Sequence, residues 1–419
     1  MLPGTLSTQK GRAMNLYKNA RWTRWNQDMT AMRGHAARML LPQRDGTFFL
    51  SRDRSDGASI EVDGRAVVNF SSYDYLGLTQ HPEVLAASHG ALDRFGSSAS
   101  ASRMVCGQTA VHDALDERIA RFLGTESAMT FNSGFGTNAS TIGFLFEPRD
   151  LVLHDAYMHQ SALEGIRLSG ATRMSFRHND VAALAALLET EAPKYRKVLV
   201  LVEGAYSMDG DVCPLREIAA LKRRHDFYLM VDEAHSLGTV GATGRGIGEH
   251  AGVDRADVDL WMGTLSKTLA SCGGYIAGNG ELVEFLRYNC PGYVYSAALP
   301  PVGAAAAEAA LGVLEREPER SVALQDKVQM AQSLARAAGL DIGTADVAPI
   351  LPVILGERDL TLHTSFALYQ RGLCAHPLVY PAVPKHQARL RFFITGLHTE
   401  AQLQEAFDAV AAIVAEATA

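Results

Sequence analysis

The sequence predicts an α/β fold, a mostly parallel sheet with helices on both faces, followed by a smaller α+β lobe. Three observations carry this expectation. Short apolar runs at 151–153, 198–202 and 227–231 alternate with helical patterns at 181–188 and 215–225, and strand–helix alternation argues for a parallel sheet buried on both sides. Several runs end in reactive side chains, such as Asp232 after 227–231 and Lys267 after 260–262. Open α/β sheets bind ligands just outside such strand ends. Beyond about residue 317 the alternation stops, and two strand-like runs near 350–355 and 390–394 precede a last helix over 399–415.

Each element has a local reason. Residues 1–50 are polar and basic, with Arg12, Lys18, Arg21, Arg24, Arg33 and Arg38, and they carry Trp22 and Trp25. A helix is expected over 21–41, stopped by Pro42, in an arm that packs on a neighbouring subunit or, as the alternative, contacts the substrate. Residues 53–70 read as a hairpin, because Asp63-Gly64 is a tight-turn pair between alternating apolar residues. A helix follows over 82–95. Residues 96–107, G-S-S-A-S-A-S-R-M-V-C-G, are too rich in small side chains to pack. They are expected as a loop whose backbone approaches something closely. Leu115, Ile119, Phe122 and Leu123 recur at helical spacing over 112–123. A strand over 127–131 runs through N-S-G-F-G-T-N into a helix over 137–146. A helix that starts on small residues is a ready anion site, because its first N–H groups have no partner within the helix. No dinucleotide fingerprint or nucleotide P-loop is present. Pro300-Pro301 opens an Ala-rich helix, and Glu400 sits in the first turn of the last helix, where the dipole favours it. The expected divisions are an arm and hairpin over 1–75, a large domain over 76–305 and a C-terminal domain over 306–419.

Composition narrows the function. The chain has 419 residues, 47% of them hydrophobic and 20% charged, and a formal net charge of -7. The acidic balance argues against general nucleic-acid binding, which needs a basic surface. The five cysteines, Cys106, Cys213, Cys272, Cys290 and Cys374, are scattered with no C-x-x-C pair. Reduced thiols in a cytoplasm are expected, not disulfides or a zinc site. No apolar core follows a basic start near residue 1, so no signal peptide is expected. The most apolar stretch, 300–314, carries Glu308 and is too short to span a bilayer.

The chemistry is concentrated between residues 228 and 268, Y-L-M-V-D-E-A-H-S followed later by D-L-W-M-G-T-L-S-K-T. A chain that holds pyridoxal 5'-phosphate (PLP) must supply a lysine for the Schiff base, an acid for the pyridine nitrogen and donors for the phosphate. Lys267, Asp232 and the Thr264/Ser266 pair are these types. Singly, each also fits an ordinary loop acid, a loop histidine or a surface lysine. Their order and spacing together point to the cofactor.

Six motifs then converge: N-F-S-S-Y-D-Y-L-G-L, F-N-S-G-F-G-T-N, V-E-G-A-Y-S-M-D-G-D, V-D-E-A-H-S-L-G, G-T-L-S-K-T and A-R-L-R. Over residues 67–413 the chain resembles the α-oxoamine synthases, PLP enzymes of fold type I that include 8-amino-7-oxononanoate synthase and serine palmitoyltransferase. The resemblance implies a seven-stranded, mostly parallel sheet and a homodimer with active sites at the subunit interface. It implies condensation of a small L-amino acid with an acyl thioester, releasing CO2 and the thiol. Lys267 is similar to the Schiff-base lysine, Asp232 to the acid at the ring nitrogen and His235 to the donor at the ring 3-oxygen. His159 resembles the histidine that stacks on the ring. Gly134 and Phe135 resemble the backbone phosphate contacts, with Thr264 and Ser266 as hydroxyl contacts. Glu203 and Ser207 match positions near the ring. Arg391 resembles the arginine that grips the amino-acid carboxylate, and Arg389 is the decoy of the A-R-L-R pair. Tyr157 and Met158 are expected in the core.

Two departures from the family pattern matter. Tyr73 stands where many members have Asn, and with residues 102–107 it leans toward serine palmitoyltransferase. In V-Y-S-A-A-L-P-P, which resembles a segment sent across the dimer to the neighbour's phosphate, only Ser296 keeps a hydroxyl. The amino acid (glycine, alanine or serine) and the donor (acyl-CoA or an acyl carrier protein) stay open here. The rival readings are a fold type I aminotransferase and a non-catalytic subunit of a heteromeric synthase.

Overall fold

Seven strands form the central sheet in the computed structural model, which describes residues 48–418. They are β1 (Ser127–Phe131), β2 (Leu151–Asp155), β3 (Thr172–Phe176), β4 (Val198–Glu203), β5 (Tyr228–Asp232), β6 (Leu260–Thr264) and β7 (Gly274–Gly278). The spatial order is β1-β7-β6-β5-β4-β2-β3. β7 runs antiparallel to both neighbours, and every other pair is parallel. Every residue of β2, β4 and β7 is buried, which is why β2 and β4 read as apolar runs. β3 lies at the edge and alternates instead, with exposed Arg173 and Ser175.

Helices cover this sheet. Pro301–Arg316 lies against Pro82–Phe95 and Ala110–Leu123. Its buried Ala304, Ala307 and Ala310 recur at helical spacing and let the backbones approach closely. Residues 51–418 pack as one compact unit.

Two smaller sheets complete the architecture. The hairpin Ser59–Val62/Arg65–Asn69 turns at Asp63 and Gly64, both at positive φ (52° and 73°). This is the geometry a two-residue turn between right-twisted strands requires. Leu373–Cys374 adds to it in parallel. The other sheet pairs Ala388–Phe393 between Ile350–Gly356 and His376–Leu378. Ala388–Phe393 is buried throughout, and strand alternation places Arg389 and Arg391 on one face.

Some expectations need correction. Residues 96–107 are not all loop. Arg103–Gly107 forms a π-helical turn, and buried Arg103 meets Asp116 at 2.8 Å. The loop's close approach is to itself, since a Cβ on Gly107 would lie 2.1 Å from the Ala101 carbonyl oxygen. The helix expected over 137–146 starts three residues earlier, as Gly134–Leu145 (α1). The helix expected over 215–225 ends at Ala220 and continues as a 3-10 turn, Leu221–Arg223. Met158 is buried, but Tyr157 is 40% exposed and stacks on His178. Gln160–Ser169 (α2) and β7 carried no clear pattern in the sequence. The basic arm, Trp22, Trp25 and the helix over 21–41 lie outside the described residues.

Candidate active site

A cavity of about 390 Å³ opens beyond the C-terminal ends of β4, β5 and β6, where an α/β sheet places its ligands. Lys267, Asp232, Glu203, His159, His235 and Arg391 all line it, as do Tyr73, Gly134, Phe135, Ser207, Thr264 and Ser266. Of the residues expected at the site, only Ser296 lies outside this lining.

Strand register builds the acidic side. Glu203 ends β4 and pairs with Asp232, which ends β5. The Glu203 Oε1 atom is buried without a hydrogen-bond partner. Burial, then the adjacent Asp232 charge, push the Glu203 carboxyl well above the usual carboxylate range and favour its protonated form. Asp232 accepts from the Asn138 side chain at 2.8 Å and from the Ala234 N–H at 2.9 Å. A carboxylate offers about four acceptor sites, so Asp232 retains capacity for another N–H. Burial pushes the Lys267 ammonium down to about 8, while Asp232 and Glu203 pull it upward. A lysine so lowered exchanges protons near neutrality.

The opposite side is cationic. Arg391 is buried, donates to the Ser207 carbonyl at 2.9 Å and lies 4.6 Å over the Phe393 ring. It makes no ion pair among the described residues, and its Nε atom has no partner. A buried guanidinium without a carboxylate is costly unless a ligand supplies the anion. Its side chain also bonds that of Tyr73, whose ring centroid lies 5.7 Å from Lys267 Nζ. His235 is buried, with Nδ1 2.7 Å from the Tyr75 hydroxyl. Burial, then the charges of Lys267 and Arg391, push its imidazole well below the usual histidine range. Neutral His235 is therefore the form this pocket holds.

The third wall is the start of α1. Ser133 caps it, its hydroxyl accepting from the Gly136 N–H at 3.1 Å. Gly134 and Phe135 occupy the first turn, whose N–H groups lie outside the helix's own ladder. A Cβ on Gly134 would sit 2.7 Å from Thr264 Oγ1, and one on Gly274 would sit 2.8 Å from Gly134 Cα. Only glycines let this turn meet the ends of β6 and β7. The hydroxyls of Thr264 and Ser266 share the Gly273 carbonyl, at 2.9 and 3.4 Å.

Comparison with known proteins agrees with this geometry. The family model described as "Aminotransferase class I and II" matches residues 65–410. The chain belongs to this family. Within it, the chain is a PLP-dependent α-oxoamine synthase, a C-acyltransferase. A protein of Cyanothece sp. named "Putative 8-amino-7-oxononanoate synthase" is 39% identical over 350 residues, spanning 82% of this chain and 87% of that one. An 8-amino-7-oxononanoate synthase of Geobacter metallireducens is 39% identical over 363 residues, spanning 86% and 92%. Among solved structures, a serine palmitoyltransferase of S. paucimobilis with bound PLP superimposes with a TM-score of 0.89 at 29% identity, covering 94% of this chain and 98% of that one.

The donor set fits the family's cofactor. The helix N-terminus with two hydroxyls suits a phosphate dianion. Asp232 suits a protonated ring nitrogen, and the lowered Lys267 amine suits Schiff-base chemistry.

Sequence reasoning missed three side chains here: Asn138, Ser161 and Tyr75. Asn138 lies in the quoted F-N-S-G-F-G-T-N motif, one turn into α1, and is buried. A buried Asn in a helix interior runs against propensity, and that was the available signal. A second, largely apolar cavity of about 370 Å³ adjoins the first and shares His159, Ser207 and Met208 with it. Its other walls include Tyr157, Met158, Val383, Pro384 and Arg389. Arg389, the decoy of the A-R-L-R pair, does not line the first cavity. It is buried and donates to Asp209 at 2.6 Å.

Proposed function

We propose that this chain condenses a small L-amino acid with an acyl thioester in the cytoplasm, as a homodimer, and that the residues of the first cavity divide the work as follows. The observation that carries the reading is one cavity holding a lysine lowered to about 8, the Asp232 carboxylate and a guanidinium with no carboxylate partner among the described residues.

Arg391 takes the amino-acid carboxylate, which removes the cost of its buried charge. Bound PLP serves as the electron sink for the amino-acid α-carbon. Asp232, held by Asn138 and the Ala234 N–H, accepts from the ring nitrogen. His235, oriented by Tyr75, would donate to the ring 3-oxygen of bound PLP. Gly134, Phe135, Thr264 and Ser266 hold the phosphate, and Glu203 and Ser207 border the reacting groups. Ser296 serves the neighbouring subunit's phosphate.

Lys267 Nζ removes the α-proton. A carbon–carbon bond then forms between the α-carbon and the acyl carbon, the carbon–sulfur bond breaks, and the sulfur leaves as thiolate, which takes its proton from solvent. Loss of CO2 follows, and Lys267 returns a proton to the α-carbon. His159 donates to the thioester carbonyl oxygen, a contribution worth about 3 kcal/mol where such a donor is well placed. The apolar second cavity takes the acyl chain, because it meets the site at His159 and Met208. Tyr73 narrows the amino-acid end.

The test is a panel of glycine, alanine and serine against acyl-CoAs and acyl carrier proteins, read by thiol release and product mass. Thiol released in step with one amino acid, with an aminoketone product, supports the reading. Amino-group transfer to a keto acid without thiol release overturns it.

A further inference from the structure

We infer that Ser161 and Asn138 are positioning residues that fix His159 as its Nε2–H tautomer and tie that choice to Asp232. The inference deepens the proposed function and rests on it for what His159 does. The tautomer itself is set by this chain alone.

The argument is a hydrogen-bond count. Asn138 Nδ2 carries two protons and makes two contacts, to Asp232 Oδ2 at 2.8 Å and to Ser161 Oγ at 3.0 Å. The carboxylate fixes the orientation of the amide, since a carboxylate accepts and does not donate. Asn138 Oδ1 is left buried without a partner, so the strong donor contacts decide the flip. One lone pair of Ser161 Oγ is thus occupied, and its O–H is free to donate. The atom it reaches is His159 Nδ1, at 2.7 Å. The Ser161 backbone N–H points at the same nitrogen, at 3.3 Å. Two donors on one nitrogen require that nitrogen to be the bare acceptor, so the ring proton sits on Nε2. Among the described residues Nε2 has no hydrogen-bond partner, and His159 lines both cavities.

The order runs Asp232, Asn138, Ser161, His159, with every donor directed one way from the amide. Protonating Nδ1 would turn the Ser161 hydroxyl away into a buried site and set two N–H groups against each other. The charged groups around the ring act in both directions. Burial lowers the His159 imidazole first, the Asp232 charge raises it, and Lys267 and Arg391 lower it. His235 and Glu203 also lie close to His159, Glu203 by accepting its backbone N–H. The device keeps a neutral imidazole with a donor on the free nitrogen, as a thioester or carboxylate oxygen requires.

The test uses the full-length chain with 15N-histidine, with and without PLP, in two-bond 1H–15N spectra, with His159→Gln assigning the signal. Wild type should show His159 neutral with the proton on Nε2. Ser161→Ala should give mixed tautomers and a titration midpoint raised by about 1 pH unit, the value of a lost hydrogen bond. Ser161→Thr should restore both. Asn138→Ala should give a smaller rise, because it frees the hydroxyl without removing it. A wild-type proton on Nδ1 overturns the inference, even if Ser161→Ala fails to fold. So does a folded Ser161→Ala with unchanged tautomer and midpoint. The expected tautomer in a chain that releases no thiol would overturn the proposed function and leave this inference standing.

Discussion

His159 is an exposed ring on the cavity wall and His178 a half-buried one, and their surroundings drive them in opposite directions. Burial lowers the His159 imidazole first; the Asp232 charge raises it, and Lys267 and Arg391 lower it. His178 sits between two carboxylates, with Nδ1 at 2.9 Å from Asp155 and Nε2 at 2.9 Å from Asp211. Burial alone would lower His178, but hydrogen bonds to Asp155 and Asp211 raise it to about 10. One region keeps a neutral ring ready to donate. The other holds an imidazolium whose two protons are both taken. The fixed clamp also shapes the reactive cavity, because Asp155 ends β2 just before His159 and Asp211 ends the loop that carries Ser207. Burial lowers both rings, and what reverses the direction at His178 is a direct hydrogen bond to a carboxylate on each nitrogen, which His159 lacks.

The largest expected effects break the reactive side. Lys267→Ala should lose about 10⁴-fold or more in turnover, together with the visible absorbance of bound PLP. Retention of both in a thiol-release assay and an absorption spectrum would remove the lysine from its role. Asp232→Asn should still bind PLP but lose about 10²–10⁴-fold in rate. Near-normal turnover would sink the electron-sink argument.

His178→Gln breaks the other side, and its signature is stability. It leaves Asp155 and Asp211 buried without their shared cation, at a cost of about 3–5 kcal/mol. The folded-state value of His178, about 10, lies above the ordinary histidine value of about 6.5. Its stabilisation is therefore complete below about pH 6.5 and is lost as pH rises through about 10. Thermal unfolding at pH 6, 8 and 10 should show the gap between wild type and variant shrinking with pH. A gap that widens with pH contradicts the charged clamp.

This contrast shows what the sequence discloses and what it hides. The strand ends carrying Asp232 and Thr264 were legible because buried parallel strands leave continuous apolar runs. β7 was not, because G-Y-I-A-G has two glycines in five residues, Gly274 required by the close approach of Gly134 and Gly278 by that of the Asp259 carbonyl. The reactive groups were legible because Lys267, Asp232 and Arg391 lie in motifs with a known resemblance. Their hydrogen-bond supports were not. Asn138 reaches Asp232 across 94 positions, and His178 reaches Asp211 across 33, and no local pattern encodes such pairs. Tyr157 misled for a related reason. Its apolar neighbour Met158 is in the core, but its own ring is turned to His178.

That ring gives the smallest and sharpest prediction. The Tyr157 and His178 rings stack with centroids 4.4 Å apart and an interplanar angle of 24°. If His178 is an imidazolium, the stack is a cation on an aromatic face, worth about 0.5–1 kcal/mol at a half-exposed site. If it is neutral, only packing remains, and packing does not depend on pH. Tyr157→Leu should therefore destabilise by about 0.5–1 kcal/mol more at pH 7 than above pH 10. Tyr157→Phe keeps the aromatic face and should follow wild type at both. Urea unfolding of the three proteins at the two pH values reads the difference directly. An equal loss for Tyr157→Leu at both would mean that His178 is uncharged, and the opposition between the two histidines would then rest on geometry without charge.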